Sequence, residues 1–249
     1  MTWVKICGMT NLEDALTAVE AGADAVGFVF YEKSPRNISV EAAREIVGKL
    51  PEQVEKIGVF VRGDGVDPMD IMFRVGLTGT QSYSSPEGGQ YGNALKAVRA
   101  SCLPPQARFL TALPMNLVGA DPEQLQHLTR VFSEWRKKLD EASSAAGERL
   151  MGTFVLDSGD LRTPGGTGKA FDWKRAVALA DAMRQGGAKL VVAGGLTPEN
   201  VSEAIGILKP WGVDVVSGVE ARPGKKHPEK VRVFVKAVRD AEKLHGTGG

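Results

Sequence analysis

The sequence predicts a single (β/α)8 barrel. Eight short apolar runs alternate with amphipathic stretches of helical period along the chain. Strict alternation of strands and helices predicts a parallel sheet. The 249 residues also match the roughly 250 residues typical of this barrel. These observations favour a closed barrel over an open sheet, with residues 1–245 forming one domain.

The eight predicted strands are short and rich in apolar side chains. Gly79, Ser82 and Ser84 dilute this apolar character in the fourth strand. In chain order the predicted strands are Trp3–Gly8, Ala25–Phe30, Lys56–Val61, Leu77–Tyr83, Arg108–Met115, Thr153–Ser158, Leu190–Gly195 and Val213–Gly218.

Between the strands, apolar residues recur every three or four positions, as expected for helices packed on a barrel. The stripes are Ala43/Ile46/Val47/Leu50, Tyr91/Ala94/Leu95/Val98, Val201/Ala204/Ile205/Leu208 and Val231/Phe234/Val235/Val238. Four predicted helix starts place a capping side chain before a first-turn proline. They are Asp67-Pro68, Ser85-Pro86, Asp121-Pro122 and Thr197-Pro198.

One segment after the fifth strand is longer than a barrel connection needs. Asp121 to Ala146 carries apolar residues at alternating spacings of three and four, which predicts a long amphipathic helix. Two heptads are too few for a coiled coil, so we expect this helix to lie on the outside of the barrel. The tail Gly246–Gly249 is predicted to be disordered.

Composition excludes several classes of function. The net charge is +1, which gives no bulk attraction for nucleic acid. Two cysteines and three histidines occur without zinc-ligand spacing. The first strand starts by residue 3, which leaves no room for a signal peptide, and no apolar run reaches membrane-spanning length. We expect a soluble, cytoplasmic protein without nucleic-acid or membrane partners, and leave open whether it is a monomer or a homodimer.

Cys7 ends the first predicted strand, and Gly8 follows it directly. α/β proteins keep their chemistry at this end of parallel strands. The first amides and the dipole of the next helix would favour a thiolate here. Lys5 shares the same face of the strand and would lower the pKa of the thiol. The alternatives are a buried structural cysteine and a lysine in a salt bridge inside the barrel.

Polar residues end other strands as well. Gln81 lies at the end of the fourth strand, and Asp157 ends the sixth. A carboxyl group after an apolar run is costly to bury without a partner. Desolvation at the barrel mouth would favour its protonated form, so Asp157 is a candidate acid. The alternative for Asp157 is a capping or loop-bracing role.

Glycine-rich segments lie at or after the ends of the last three predicted strands, and an arginine follows the second strand. Gly165–Lys169 comes after strand six, Gly194-Gly195 ends strand seven, and Ser217-Gly218 ends strand eight. Glycines let backbone amides approach an anion, and barrels often bind phosphate beside strands seven and eight. Arg36, after Pro35, could hold a carboxylate at two points. The alternatives are glycines that only turn the chain and a solvated arginine.

These positions together resemble the phosphoribosylanthranilate isomerase family of tryptophan biosynthesis. The resemblance covers both ends of the chain in the same order. The matching segments are Lys5–Thr10, Gly27–Phe30, Ser34–Arg36, Gly58–Val61, Leu156–Ser158, Gly165–Trp173, Ala193–Val201, Val213–Glu220 and Pro223–Lys226.

The resemblance implies an aldose–ketose isomerase whose reaction is an Amadori rearrangement. It implies that Cys7 is the general base and that Asp157 is the general acid. It further implies that Lys5, Arg36, Gln81 and Asp214 bind substrate, with Arg36 facing the anthranilate. The implied phosphate-binding residues are Gly166, Gly194, Gly195, Val216, Ser217 and Gly218. No metal, nicotinamide or flavin is implied as a cofactor.

The fourth strand end departs from the resemblance. The family usually carries Gln-Leu-His-Gly there, whereas this chain has Gln81-Ser82-Tyr83-Ser84. This altered loop favours one rival, a catalytically silent barrel that only binds a phosphorylated ligand. Other rivals are less consistent with the residues: the related histidine-pathway isomerase uses an aspartate where Cys7 stands, and a sugar-phosphate epimerase needs metal-binding histidines at its strand ends.

Overall fold

Eight parallel strands close into a barrel in the computed structural model. The structure describes residues 1–61, 65–83, 107–114, 153–158 and 171–245, together with Arg130 and Lys137. The barrel strands are β1 (Trp3–Cys7), β2 (Ala25–Phe30), β3 (Glu55–Val61), β4 (Gly79–Tyr83), β5 (Arg108–Pro114), β6 (Thr153–Asp157), β7 (Lys189–Val192) and β8 (Gly212–Val215). The predicted fold class and all eight predicted strands are therefore confirmed.

Strand β1 closes the barrel by pairing with β2 on one side and with β8 on the other. Side chains alternate between the two faces of each strand. Trp3 and Cys7 accordingly belong to the apolar cluster inside the barrel, whereas Val4 and Ile6 pack in the layer beneath the helices. The pairing places Lys5 opposite Asp214 and Cys7 opposite Gly27.

Six α-helices surround the barrel within the described ranges. They are α1 (Leu12–Glu20), α2 (Val40–Val47), α3 (Pro68–Val75), α4 (Val177–Gln185), α5 (Val201–Leu208) and α6 (Pro228–His245). The 18-residue helix α6 packs against both α5 and α1, which joins the end of the described chain to its beginning. Among these residues, no helix combines the length and the apolar character needed to cross a membrane.

Two predicted strand ends were wrong. Strands β7 and β8 were predicted to extend to Gly195 and Gly218, but they end at Val192 and Val215. Gly194 and Gly195 have φ angles of 77° and 68°, in the left-handed region, so the chain leaves the strand there. After β8, the segment Ser217–Val219 forms a short 3-10 turn instead of extended backbone.

The predicted cap at Asp67 is confirmed, because its side chain accepts a hydrogen bond from the Met69 amide at the start of α3. The predicted start at Thr197-Pro198 is early, since α5 begins only at Val201. The Thr197 hydroxyl still accepts from the Glu199 amide at 3.3 Å. It therefore caps a turn that leads into the helix.

A two-stranded antiparallel ribbon follows the barrel, and the sequence patterns did not predict it. Its strands are β9 (Glu220–Arg222) and β10 (Lys225–Lys226). The Asp14 carboxylate of α1 accepts from the Lys226 amide and from the Lys225 ammonium, each at 2.7 Å. These contacts fix the ribbon beside the carboxyl end of β1.

Several sequence predictions lie outside the described residues. They concern the stripe of Tyr91 to Val98, the starts at Ser85-Pro86 and Asp121-Pro122, the long helix of Asp121 to Ala146, the loop Gly165–Lys169 with Gly166, and the tail Gly246–Gly249.

Candidate active site

One pocket at the carboxyl ends of the barrel strands contains most of the residues predicted to form the site. Side chains reach it from six strands and from the loop after β2. The predicted residues that line it are Cys7, Arg36, Gln81, Asp157, Gly194, Gly195, Asp214, Val216 and Ser217. Lys5 lies beneath the pocket and contacts two of its residues, while Gly218 braces a loop behind it.

The floor of the pocket is a hydrogen-bonded cluster around Lys5. The Lys5 ammonium donates to Asp214 Oδ2 at 2.7 Å and to Gln81 Oε1 at 3.0 Å, and it is fully buried. Burial works against its charge, but the charge of Asp214, with a smaller contribution from Cys7, outweighs that effect and holds the pKa of Lys5 above its usual value. The lysine is therefore a fixed cation beside Cys7.

Only one of the two carboxylate oxygens of Asp214 accepts a hydrogen bond from the described residues. Its Oδ2 accepts from Lys5, whereas Oδ1 is buried and has no hydrogen-bond partner within the described part of the chain. A buried oxygen without a donor costs free energy, roughly 1–3 kcal/mol for a polar group. A hydroxyl or N–H group on a bound ligand would remove that cost.

The Cys7 thiol is buried, and its environment differs from the predicted one. Burial is the largest influence and raises the pKa of the thiol, with Lys5 opposing it. The net direction is upward. The amides of Gly8 and Met9 both donate to the Gly27 carbonyl oxygen, at 3.0 and 2.9 Å. The amides of Gly8 and Met9 are therefore bonded to β2 and do not contact the thiol, and the predicted effect of the first α1 amides stays a prediction.

Gly27 sets the position of the thiol. A Cβ atom at this glycine would lie 2.5 Å from Cys7 Sγ and 3.0 Å from Lys5 Cε. Both distances are too short for ordinary packing. Because Gly27 has no side chain, Cys7 and Lys5 have the space that they occupy.

Gly27→Ala is expected to push the thiol out of place. Overpacking of this kind costs about 1–3 kcal/mol of unfolding free energy, and a misplacement of about 1 Å can lower catalysis roughly 100-fold. We expect kcat for the reaction proposed below to fall about 10- to 100-fold.

Gly58→Ala is the matched control, because its added Cβ would lie 2.7 Å from Leu77 Cδ1 on the outer face of the sheet. It should lose similar stability in a denaturant titration but retain kcat. Full activity in Gly27→Ala would contradict the role given to Gly27.

Asp157 is bound by a tyrosine from another strand. The phenol of Tyr83, at the end of β4, donates to Asp157 Oδ2, and both side chains are buried. Burial, with the Asp157 charge second, raises the pKa of Tyr83 well above its usual value. The phenol therefore keeps its proton and acts as the donor.

Arg36 contacts a carboxylate at two points, but the partner belongs to the protein. Its Nε and Nη2 atoms donate to the two Glu220 oxygens at 2.9 and 2.8 Å. The Lys226 ammonium also donates to Glu220, at 3.1 Å. Burial alone would raise the pKa of Glu220, but the hydrogen bonds from Arg36 and the charge of Lys226 hold it below its usual value. Glu220 thus fixes the orientation of the guanidinium through Nε and Nη2, and Arg36 lines the pocket.

The loops after β7 and β8 approach each other closely beside the pocket. A side chain at Gly218 would collide with the Leu196 carbonyl oxygen. The Asn200 side chain accepts from the Thr197 amide at 2.8 Å and donates to the Gly195 carbonyl at 2.9 Å. These contacts hold Gly195 beside Val216 and Ser217 at the pocket wall.

Sequence reasoning missed Tyr83, Glu220 and Lys226 as site residues. Tyr83 stands two positions after Gln81, so it shares the inward face of β4. Glu220 and Lys226 lie in the segments that carry the family resemblance, although no strand pattern marks them. The strand period could have identified Tyr83, whereas the Arg36–Glu220 ion pair joins residues 184 positions apart and the Glu220–Lys226 pair depends on an unpredicted ribbon.

Comparisons with known proteins agree with this geometry. A family model described as N-(5'phosphoribosyl)anthranilate (PRA) isomerase matches residues 4–77 and 119–237. The N-(5'-phosphoribosyl)anthranilate isomerase of Rubrobacter xylanophilus is 40% identical over 239 residues, which cover 96% of this chain and 100% of the relative. That of Citrifermentans bemidjiense is 38% identical over 244 residues, which cover 98% of each chain.

Solved structures similar to this chain are also phosphoribosyl anthranilate isomerases. The phosphoribosyl anthranilate isomerase of Thermotoga maritima has a TM-score of 0.73 and 35% identity, with 96% of this chain and 100% of that chain covered. Another structure, with a TM-score of 0.70 and 34% identity over 96% of this chain and 100% of that chain, is a phosphoribosyl anthranilate isomerase in complex with reduced 1-(o-carboxyphenylamino)-1-deoxyribulose 5-phosphate.

The barrel, its pocket and these relatives define the class of the protein as a (β/α)8-barrel isomerase. The matches extend over nearly the whole chain and include its first and last strands. The chain belongs to the phosphoribosylanthranilate isomerase family. The resemblance inferred from the sequence motifs is confirmed.

Proposed function

We propose that this chain catalyses the isomerisation of N-(5-phosphoribosyl)anthranilate to 1-(2-carboxyphenylamino)-1-deoxyribulose 5-phosphate in tryptophan biosynthesis. The observation that supports this most is the presence of Cys7 and Asp157 in one pocket of a chain of this family. A thiol and a carboxyl group there supply a base and an acid for the two proton transfers of an Amadori rearrangement.

Asp157 acts first in this proposal. Its carboxyl group gives a proton to the ring oxygen of the furanose. The bond between that oxygen and the first sugar carbon breaks, and the anthranilate nitrogen lone pair forms an iminium. Asp157 becomes a carboxylate, and Tyr83 remains hydrogen-bonded to it.

Cys7 acts second. Its thiol gives its own proton to solvent, and the resulting thiolate removes the proton from the second sugar carbon. The electrons of that C–H bond neutralise the iminium and form an enolamine, which tautomerises to the ketose. In the substrate-free protein, burial favours the neutral thiol. The iminium places a new positive charge in the pocket, and a nearby positive charge favours a thiolate. Ring opening therefore prepares the base for its own step.

The pocket floor would hold the sugar. Asp214 Oδ1 is a buried acceptor without a partner in the described residues, and a sugar hydroxyl supplies the donor. Lys5 keeps Asp214 and Gln81 in place by donating to both. Lys5, Gln81 and Asp214 thus form a pre-organised support under the reacting carbons.

The pocket wall after β7 and β8 would hold the phosphate. Gly194 and Gly195 carry no side chains that would cover the backbone, and Val216 and Ser217 line the same wall. Backbone amides in such glycine-rich loops suit an anion. Gly218 would brace this wall, and Gly166 stays a proposed contact from the loop outside the described residues.

Arg36 would hold the anthranilate carboxylate with the Nη1 side of its guanidinium. Arg36→Ala is expected to raise KM about 10- to 100-fold, since a charged hydrogen bond is worth roughly 1.5–3 kcal/mol. Its loss leaves Glu220 paired with Lys226, so no carboxylate is orphaned. Steady-state kinetics would measure the change. Arg74→Ala, at an exposed arginine of α3 paired with Asp70, is the control. An unchanged KM in Arg36→Ala would contradict the contact.

Complementation gives the direct test of the function. The gene should restore growth without tryptophan to a bacterial strain that lacks this isomerase. Purified protein should convert the substrate to the ketose product in a chromatographic assay. Failure of both would overturn the proposal and favour a barrel that only binds phosphorylated ligands. We also propose a cytoplasmic location, because a free buried thiol is typical of a reducing compartment.

A further inference from the structure

Tyr83 lines this pocket, and no sequence motif assigned it a role. Tyr83 stands where the family usually has a histidine, two positions after the glutamine that corresponds to Gln81. We propose that Tyr83 is a positioning residue for the proton donor Asp157, which it orients through a hydrogen bond. This inference rests on the proposed function, because it concerns how the acid of that reaction is prepared.

The bond crosses the inside of the barrel. Strand β5 lies between β4 and β6, and its Ala112 pairs with Tyr83 on one side and with Val155 on the other. Ala112 belongs to the same interior cluster as Tyr83, and its small side chain leaves room for the phenol ring to pass. Asp157 stands two residues beyond Val155, on the same face of β6. The phenol therefore reaches the carboxyl group from one fixed direction.

The direction of the hydrogen bond has a chemical consequence. Tyr83 keeps its proton, so Asp157 Oδ2 is an acceptor and the proton that Asp157 gives away belongs on Oδ1. When that proton leaves, the carboxylate gains full charge, and a hydrogen bond to a charged oxygen is about twice as strong as a neutral one. The bond thus strengthens during ring opening. An interaction that is stronger in the transition state than in the ground state lowers the barrier.

A phenol suits this position because it is a donor that carries no charge of its own. The surrounding pocket already holds Lys5, Asp214 and Asp157 as charged or ionisable groups. A neutral donor orients Asp157 without adding a cation to the site where the iminium forms.

Tyr83→Phe tests the inference, because it removes one hydroxyl and leaves the ring. We expect kcat to fall about 10- to 100-fold while KM changes less than about threefold, since the bond acts on the acid and not on substrate binding. Tyr83→His restores a donor and should recover part of the lost kcat. Ser82→Ala, a hydroxyl deletion on the outward face of the same strand, should behave as wild type.

A second measurement does not depend on turnover. Tyrosinate absorbance, followed against pH as the difference between wild type and Tyr83→Phe, reports the Tyr83 phenol. The Asp157 charge raises the pKa of Tyr83, so in Asp157→Asn the phenol should ionise at a lower pH than in wild type. An unchanged titration would overturn the proposed pairing.

The outcomes separate this inference from the proposed function. Wild-type protein without isomerase activity overturns the function. Active wild type together with a Tyr83→Phe variant of unchanged kcat overturns the role of Tyr83 alone. A loss in kcat that Tyr83→His does not recover in any part also counts against it, provided that thermal unfolding shows both variants folded.

Discussion

Cys7→Ala is expected to abolish isomerase turnover while the barrel stays folded. The variant removes the proposed base, and a positioned general base contributes about 100- to 10,000-fold to a rate. In the structure, no other thiol or imidazole lines the described pocket, so no neighbouring group of similar basicity replaces it. We expect kcat to fall by about 1,000-fold or more in a steady-state assay, in line with that range.

Packing can be separated from chemistry at this position. The thiol is buried against Gly27, so its loss leaves a small void inside the barrel. Cys7→Ser keeps a side chain of similar shape, but a hydroxyl ionises far less readily than a thiol, so almost no deprotonated form is present to act as the base. Both variants should be inactive, and both should show cooperative thermal unfolding close to that of wild type. Near-full activity in either variant would contradict the assignment of the base.

Asp157→Asn is expected to have an effect of similar size. The amide has nearly the same shape as the carboxyl group, and its oxygen can still accept the hydrogen bond from Tyr83. It cannot give a proton to the ring oxygen. We therefore expect kcat to fall about 100- to 10,000-fold with the pocket geometry intact.

Asp70→Asn provides the control for this change. Asp70 is exposed on α3, pairs with Arg74 at 3.2 Å and does not line the pocket. The same change of carboxylate to amide should leave kcat and KM as in wild type. An Asp157→Asn variant that matched this control would remove Asp157 from the mechanism.

The sequence predicted the barrel and most of the pocket because both depend on local patterns. Alternating strands and helices define the fold, and a polar residue at the end of an apolar strand then faces the barrel mouth. Cys7, Gln81 and Asp157 follow this rule. Gly194 and Gly195 were predicted at the correct place but in a strand, because an apolar run does not reveal where the backbone becomes left-handed.

The partners of these residues could not be predicted in the same way. Arg36 and Glu220 are 184 positions apart, and Tyr83 and Asp157 are 74 positions apart. Such pairs depend on how distant segments come together in the folded barrel, which no short motif contains. The thiol environment is a similar case. The sequence indicated a lysine and a helix near Cys7, but burial depends on all eight strands and outweighs the lysine in the pKa of the thiol.

The central claim is that Asp157 opens the sugar ring and that Cys7 then removes the carbon-bound proton. Cyanoborohydride trapping of the ring-opened iminium, with detection of the reduced product by mass spectrometry, tests this order directly. Cys7→Ala with substrate should accumulate the iminium and give trapped product above the level found without protein. Asp157→Asn should not exceed that background. Equal trapping in the two variants, or none in Cys7→Ala, would contradict the assignment of the two steps.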